Sequence, residues 1–479
     1  MGLKVLFVSS EVSPYAKSGG LGDVAGSLPK ALLAEGVDVR VVFPKYRSID
    51  QRYLANSRYI SSFEVTLDWR TQVADIFHLE AEVPTYMIGN DFYFGRDAFY
   101  GYGDENERFA FFSKAAIEFL DKIDFIPDVI HCNDWQSAPI CVYLKDRYSK
   151  LLYFSKIKSV LTIHNLQYQG AFDKESLNMM ELGYGYFAGD KLEFYDKINY
   201  LKGGIVYADA ITTVSNTYAY EIQTPQYGYN LDGVLRSRNN ALTGIVNGID
   251  YEQSNPETSQ KIYANYSADN MAGKKENKRR LQEQMGLPVR DEVPVFGLIT
   301  RLAEQKGINL ILQVLNELLE KDVQLVLLGT GENSYENMFR GFADRFPDKL
   351  RANITFDDTL AQRIYAGSDF FLMPSLFEPC GLGQLFAMSY GTVPIVRTTG
   401  GLVDTVQHFN PENGSGNGFA FHDYISSGLM WAINEALRNY ADKENHERVV
   451  RNAISTRFSW ENSAKEYIKV YERIVFGNS

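Results

Sequence analysis

A glycine-rich segment near the amino terminus, KSGGLGD at residues 17–23, combines a lysine with small residues. Glycines let backbone N–H groups approach an anion, and the start of a helix adds positive potential. Lys17 adds a full charge, so the segment suits a phosphate. It matches neither G-x-G-x-x-G nor the Walker A pattern, so it specifies neither a dinucleotide nor a P-loop. The alternative is a flexible loop with a solvated lysine.

Two cations, Arg301 and Lys306, follow a predicted strand and precede a helix predicted to begin near Gly307. Arginine can bind two phosphate oxygens at once, and the helix start offers free N–H groups. The pattern therefore indicates a diphosphate site, against the alternative of two ordinary surface cations.

A carboxylate, Glu378, lies in the segment PSLFEPCGL at residues 374–382, after a buried strand and at the predicted opening of a helix. It could accept hydrogen bonds from sugar hydroxyls and favour positive charge on a ring carbon. The alternative is a carboxylate that only compensates the helix dipole. Cys380 is expected to be a small, half-buried filler rather than a reactive thiol.

Four weaker signals also lie at predicted strand ends or domain crossings. His164 and the segment 131–135 end strands, Asn247 lies at a crossing between two halves of the chain, and Thr399-Gly400 precedes a second Gly-Leu pair. A lone histidine beside a strand is more often structural than functional. The second glycine turn could present N–H groups to phosphate.

The elements that must position these residues alternate between strand and helix. Residues 4–9, 37–43, 128–132, 158–164 and 210–214 read as buried strands, and a helix is predicted at 21–34. The pattern restarts after residue 250, with strands predicted at 293–300, 323–328, 353–356, 370–373 and 392–396. This alternation predicts an α/β fold of two Rossmann-like, doubly wound domains that face a central cleft.

The expected boundaries follow from that restart. Residues 1–247 form an amino-terminal Rossmann-like domain, and residues 248–457 form a carboxy-terminal Rossmann-like domain. Residues 458–479 form a last helix, apolar on one face, that packs back on the first domain. Ligands of open α/β sheets bind at the carboxyl ends of the strands, where the unusual residues cluster.

Composition excludes several classes of protein. The 48 Lys and Arg against 60 Asp and Glu give a net charge of −12, which argues against nucleic-acid binding through broad phosphate neutralisation. The three cysteines exclude a disulfide scaffold and show no zinc spacing. Neither a signal peptide nor a membrane-spanning segment is predicted, so we expect a cytoplasmic protein.

Taken jointly, six motifs resemble the bacterial glycogen synthase and plant starch synthase family. They run in order along the chain from residue 4 to about 460, and no single one is specific. They are residues 17–21, Asn133-Asp134-Trp135, His164-Asn165, residues 246–250, Arg301 with Lys306, and residues 377–382.

The resemblance implies a GT-B fold and retaining transfer of glucose from ADP-glucose to the non-reducing end of an α-1,4-glucan. No cofactor or metal and no nucleic-acid or membrane partner is implied, and the oligomeric state stays open. The residues it assigns to catalysis are Glu378, Arg301, Lys306, Lys17 and His164. Those it assigns to substrate binding are Gly19, Gly20, Asp23, Tyr100 or Tyr102, Asp134, Asn247, Phe356, Cys380, Gly381, Leu382, Thr399 and Gly400.

One departure concerns the nucleotide. Phe356 stands where the family commonly has a tyrosine that stacks on the base, so the ring is kept and a hydroxyl is lost. ADP and UDP therefore stay open from the residues themselves, and only the resemblance favours ADP.

Three other readings compete with this one. They are a nucleotide-sugar transferase with another acceptor, such as a sucrose-forming enzyme, a catalytically silent glucan-binding protein, and a dehydrogenase. The missing G-x-G-x-x-G after the first strand argues against the dehydrogenase.

Overall fold

The structure, a computed structural model, describes residues 2–477. The chain divides into two units. Unit 1 comprises the residues up to Asn247 together with those from Trp460 onward, and unit 2 comprises Gly248–Ser459.

Unit 1 is built on a nine-stranded sheet with strands on both sides of a hydrophobic first strand. Its twelve strands are β1 (Lys4–Val8), β2 (Asp38–Pro44), β3 (Ser57–Leu67), β4 (Arg70–Leu79), β5 (Thr85–Gly89), β6 (Val129–Asn133), β7 (Lys158–Ile163), β8 (Ala171–Asp173), β9 (Glu193–Phe194), β10 (Lys197–Asn199), β11 (Ala210–Thr213) and β12 (Leu242–Gly244). The sheet order is β12-β11-β7-β6-β1-β2-β5-β4-β3, and β8, β10 and β9 form a separate small sheet.

Seven of the nine strands are parallel, and β3 and β4 extend one edge as an antiparallel hairpin. The unit 1 helices before unit 2 are α1 (Gly20–Ala34), α2 (Gln51–Leu54), α3 (Asp91–Phe94), α4 (Glu105–Glu118), α5 (Asp134–Ser137), α6 (Pro139–Asp146), α7 (Ser176–Met179), α8 (Tyr200–Tyr207), α9 (Asn216–Glu221) and α10 (Asp232–Ser237). Because β1, β6 and β7 are adjacent and parallel, the loops after them lie at one edge of the sheet.

Unit 2 has a six-stranded parallel sheet in the order β15-β14-β13-β16-β17-β18. Its strands are β13 (Val295–Ile299), β14 (Gln324–Leu328), β15 (Leu350–Asn353), β16 (Phe370–Met373), β17 (Val393–Arg397) and β18 (Phe419–Phe421). Its helices are α11 (Ala272–Met285), α12 (Ile308–Glu320), α13 (Asn333–Arg345), α14 (Asp358–Gly367), α15 (Gly383–Ser389), α16 (Gly401–Thr405), α17 (Ser426–Ala441) and α18 (Lys443–Ser455).

The last helix, α19 (Trp460–Phe476), belongs to unit 1. Its Tyr471 hydroxyl lies 2.7 Å from Nδ1 of His131 on β6, and its Ser463 hydroxyl donates to the Val246 carbonyl at 2.7 Å. Tyr467 and Tyr471 are both fully buried. The buried Tyr467 and Tyr471, the latter in contact with His131, thus fix this helix to the sheet of unit 1.

The alternation of strands and helices seen in the sequence is present in both units. The strand predicted at 353–356 is wrong, because β15 ends at Asn353 and Phe356 is exposed beyond it. The hairpin β3–β4 was not predicted. No helix within residues 2–477 is both long and apolar enough to cross a membrane.

Candidate active site

An ion pair between Lys306 and Glu378 forms the centre of the unit 2 site. The Lys306 ammonium donates to both carboxylate oxygens, at 3.0 and 2.7 Å, and the Ser375 hydroxyl donates to one of them at 3.0 Å. The two side chains are only 18% and 8% exposed. Chain positions 72 residues apart therefore form one largely desolvated pair of opposite charges.

Close backbone approaches bring these two loops together. Gly307 has φ +73°, and a Cβ there would lie 2.0 Å from the Pro374 carbonyl oxygen. On the other side, a Cβ on Gly400 (φ +47°) would lie 2.0 Å from the Glu378 carbonyl oxygen. Only glycine fits either position. The two glycines therefore let the backbone at residues 307 and 400 pack directly against the loop that carries Glu378.

Arg301 and Phe356 lie after β13 and β15 and are exposed. The Arg301 guanidinium makes no hydrogen bond or ion pair to any of residues 2–477, and Phe356 is 86% exposed. Both follow strands at the carboxyl edge of the unit 2 sheet, as Lys306 and Glu378 do. An unpaired cation and an uncovered ring are thus available to a ligand at this edge.

The segment that carries Glu378 opens α15, as predicted, but Glu378 itself lies before the helix, which begins at Gly383. In the second glycine turn, the N–H of Gly401 donates to the carbonyls of Glu378 and Pro379 at 3.1 Å each, so this one group is not offered to phosphate. The turn therefore contacts the Glu378 loop, and Thr399 is fully buried. That Thr399 and Gly400 bind the substrate stays a prediction.

The segment between Glu378 and α15 is fixed through its backbone. The Gln384 amide donates to the carbonyls of Cys380 and Gly381, at 3.1 and 2.8 Å. Cys380 is buried rather than half-buried, at 4% exposure, and Leu382 is partly buried. These residues shape the loop that carries Glu378.

Arg397, at the end of β17, was missed by the sequence analysis. Its guanidinium donates to the carbonyls of Ser375, at 2.8 Å, and of Leu376, and more weakly to that of His422 at 3.4 Å. Arg397 is buried, and its forked guanidinium group donates to backbone carbonyls that have no hydrogen-bond partner within a strand or helix. No motif pointed to it, since it reads as the last residue of a strand.

In unit 1, the turn at residues 17–20 is held by an internal carboxylate, Glu11. Its two oxygens accept from the N–H of Ser18 (2.5 Å) and Gly19 (3.2 Å), the Ser18 hydroxyl (2.6 Å) and the Tyr100 hydroxyl (2.8 Å). The N–H of Gly19 is therefore used within the protein, and that the turn of Gly19 and Gly20 binds the substrate stays a prediction. Lys17 pairs with Asp23 at 2.6 Å and stays 41% exposed.

His164 lies after β7 with one ring nitrogen fixed. Nε2 lies 2.8 Å from Oδ1 of Asn133, whose amide nitrogen donates to the Val8 carbonyl at 3.0 Å. The amide orientation makes Nε2 the donor, so Nδ1 carries the lone pair. Burial lowers the pKa of His164 to about 3, so the ring is neutral near pH 7 and its Nδ1 can accept a hydroxyl proton.

Asp134 adopts a left-handed conformation, with φ +55°, at the end of β6. Its carboxylate accepts the backbone N–H of His164 at 2.7 Å. Burial raises its pKa to about 7, against the lowering effect of the N–H groups of His164 and Asn165, and the charge of Glu11 raises it further. Asp134 thus orients the His164 loop.

Of the remaining candidates in unit 1, Asn247 has an atom available to a ligand, whereas Tyr102 is bound within the protein. Oδ1 of Asn247 is buried and has no hydrogen-bond partner among residues 2–477, so it can accept from a ligand. Tyr102 accepts the N–H of Ala98 at 3.0 Å, and the guanidinium groups of Arg96 and Arg108 lie over its ring. The Tyr100 hydroxyl, in contrast, donates to Glu11, the residue that holds the turn at 17–20.

The donor set within residues 2–477 includes no group of three or more His, Cys, Asp or Glu side chains able to hold a metal ion. Unit 2 therefore offers a cationic site with a paired carboxylate, and unit 1 offers hydroxyl and amide acceptors beside a lysine. That the two sets share a cleft stays a prediction.

Family models and known proteins agree with these features. Residues 4–237 match the model described as "Starch synthase catalytic domain", and residues 279–456 match "Glycosyl transferases group 1". The glycogen synthase of Desulforudis audaxviator is 52% identical over 98% of this chain and 96% of its own length. The chain belongs to the glycogen and starch synthase family. The Thermotoga maritima glycogen synthase is 49% identical over 98% of this chain and 99% of its own.

A solved structure from this family shows the same architecture. The catalytic domain of starch synthase IV from Arabidopsis thaliana, bound to ADP and acarbose, matches with a TM-score of 0.94 and 35% identity, over 99% of this chain and 100% of that one. The chain has the GT-B fold with two Rossmann-like units. A sucrose-phosphate synthase from Thermosynechococcus elongatus matches at a TM-score of 0.62 and 17% identity, which shows a shared fold alone.

Proposed function

We propose that this protein transfers glucose from ADP-glucose to the non-reducing end of an α-1,4-glucan with retention of configuration. The observation that carries the proposal is the buried Lys306–Glu378 pair, together with the exposed Arg301 that follows β13 at the same carboxyl edge of the unit 2 sheet. Family membership supports it, because curated relatives at 48–52% identity are named glycogen synthases. A related starch synthase was solved with ADP and acarbose.

Departure of the diphosphate is the step that the cations serve. As the bond between C1 of glucose and the phosphate oxygen breaks, negative charge grows on the leaving ADP. Arg301 can bind two of its oxygens and Lys306 adds a second positive charge. Because these side chains supply the neutralising charge, the proposal assigns no role to a metal ion. Phe356 offers its exposed ring to the base.

Glu378 is assigned to the sugar. Its carboxylate can accept hydrogen bonds from sugar hydroxyls, and it stabilises the positive charge that develops at C1 as the bond breaks. The acceptor 4-hydroxyl attacks C1 from the face that the phosphate leaves, and its proton passes to the departing phosphate oxygen. One glycosidic bond forms, one sugar–phosphate bond breaks, and ADP is the second product.

Unit 1 supplies acceptors for hydroxyl groups and a further cation. The lone pair on Nδ1 of His164 and the unpartnered Oδ1 of Asn247 both suit sugar hydroxyls. Lys17, with 41% of its side chain exposed, suits an anionic group. The three cysteines are free thiols, which agrees with our proposal that the reaction takes place in the cytoplasm.

The test supplies the purified protein with ADP-glucose labelled in its glucose and follows ADP release and label in precipitated glucan. Glycogen should take up the label in step with ADP release, whereas fructose should not. Label in sucrose would instead indicate a sucrose-forming enzyme. Glycogen binding without ADP release would indicate a silent glucan-binding protein, and either result would overturn the proposal. Initial rates with UDP-glucose on the same glycogen measure the donor preference.

A further inference from the structure

Glu11 is a buried carboxylate that the proposed chemistry leaves without a role. It is 3% exposed, and none of the ion pairs formed by residues 2–477 includes it. Neutral donors alone hold it: the N–H groups of Ser18 and Gly19 and the hydroxyls of Ser18 and Tyr100. Burying a carboxylate without a cation costs free energy of folding, so Glu11 is a poor choice if its role is only to stabilise a turn. This cost indicates a role in function.

Glu11 determines which N–H groups of the turn at 17–20 stay available to a ligand. Two N–H groups of the turn are occupied by this internal anion, whereas the N–H groups of Gly20 and Leu21, the first two of α1, have no acceptor among residues 2–477. Lys17 precedes them, with 41% of its side chain exposed and its ammonium 2.6 Å from the Asp23 carboxylate. The groups that remain available to a ligand are therefore those next to the ones that Glu11 holds.

The Tyr100 hydroxyl extends this network to a distant part of the chain. It donates to Glu11 and lies 2.9 Å from the hydroxyl of Ser10. The turn is thus fixed from the end of β1 and from the loop before α4 at once. A turn held at several points keeps its N–H groups and its lysine in place before a ligand arrives.

We propose that Glu11 is a positioning residue for glucosyl transfer: its carboxylate fixes the turn at 17–20 so that Lys17 and the N–H groups of Gly20 and Leu21 are preorganised for an anionic group of the donor. The inference rests on the proposed function. Glu11 acts through the turn and not on the substrate, because all of its acceptor positions are used within the protein.

Two substitutions separate hydrogen bonding from bulk. In Glu11→Gln the amide oxygen can still accept from Ser18 and Gly19, and its NH₂ can donate to the two hydroxyls once they rotate. In Glu11→Ala the turn loses its anchor. We expect kcat to fall about 30- to 100-fold in Glu11→Ala, the scale of a misplaced catalytic group, with the KM for glycogen nearly unchanged. Glu11→Gln should recover to within about fivefold of the unmodified protein.

Hydrogen exchange supplies a readout that does not depend on turnover. The amides of residues 16–22 should exchange faster in Glu11→Ala and at the original rate in Glu11→Gln. Unchanged exchange and unchanged kcat in Glu11→Ala would overturn the inference. So would equal loss of kcat in both variants, since charge rather than hydrogen bonding would then matter. An unmodified protein that transfers no glucose would refute the proposed function, and exchange would still decide the role of Glu11.

A second pair of variants covers the case in which Glu11→Ala does not fold. Tyr100→Phe removes one donor to Glu11, and Tyr220→Phe is its matched control, because Tyr220 is 73% exposed and is not among the hydrogen-bond partners of Glu11. Tyr100→Phe should lower kcat about threefold to tenfold, the scale of one ordinary hydrogen bond, while Tyr220→Phe leaves it unchanged. Equal kcat in the two variants would contradict the inference.

Discussion

The Lys306–Glu378 pair makes a prediction that joins stability to catalysis. The Glu378 carboxylate is 8% exposed, and in Lys306→Met the Ser375 hydroxyl would be its one remaining side-chain partner among residues 2–477. Removing one member of a buried pair costs about 3–5 kcal/mol. Because the lysine is 18% exposed, we expect a lower loss in the free energy of unfolding, about 2–3 kcal/mol.

The reverse substitution should be milder. In Glu378→Gln the lysine loses its counter-charge but keeps an amide oxygen and some contact with water, so the loss should be about 1 kcal/mol. In the double variant the uncompensated charge is gone, and its loss should be smaller than the sum by about 1–2 kcal/mol.

Scanning calorimetry measures the effect on the transition of unit 2. For a domain of this size, the loss in Lys306→Met corresponds to a fall in Tm of about 5–10 °C. The exposed Lys275 provides the matched control, and Lys275→Met should stay within about 0.5 kcal/mol of the unmodified protein. Strictly additive losses in the double variant would refute the reasoning.

The same variants separate the two roles in catalysis. Lys306→Met should lower the transfer rate about 10²- to 10³-fold, the scale of losing a preorganised group that stabilises the transition state. Glu378→Ala should abolish transfer yet keep ADP affinity, because it releases Lys306 for the diphosphate. Calorimetric titration with ADP measures that affinity, and glucan synthesis by Glu378→Ala near the original rate would refute the assignment.

Three further predictions concern single groups. Phe356→Ala should raise the KM for ADP-glucose about tenfold without changing Tm, because in the proposed function this exposed ring is the one that stacks on the base. An unchanged KM would exclude the stack. Arg397→Lys should lower kcat about tenfold, because a lysine lacks the fork that binds the Ser375 and Leu376 carbonyls, and original kinetics would contradict that role. Burial lowers the pKa of His131 and His164 to about 3, whereas in the unfolded chain both rings take up protons near pH 6.5. Unfolding therefore becomes easier as the pH falls below 6.5, and Tm should drop between pH 7 and pH 5. The drop should be smaller in His131→Gln, and an equal drop in that variant would contradict the prediction.

Local patterns were enough to predict much of the architecture. The hydrophobic strands β1, β7 and β16 were placed within a residue or two, and the helix α19 lies within the predicted range 458–479, because buried parallel strands and amphipathic helices leave a direct signal in the chain. The hairpin of β3 and β4 was missed because its strands are half exposed and carry many polar residues. The segment at 353–356 was misassigned because its short apolar run lies just after β15.

The sequence by itself determined which residues could carry the chemistry: Arg301, Lys306, Glu378 and the turn at Lys17 all stand out by type and by their place after strands. Only the tertiary structure decided what these groups contact. Glu11 reaches Tyr100, 89 residues away, and Arg397 at the end of β17 reaches the Glu378 loop, which follows the neighbouring strand β16. Side-chain type and spacing are local properties of a chain, whereas hydrogen-bond partners between distant segments are set by how the strands are ordered in the sheet.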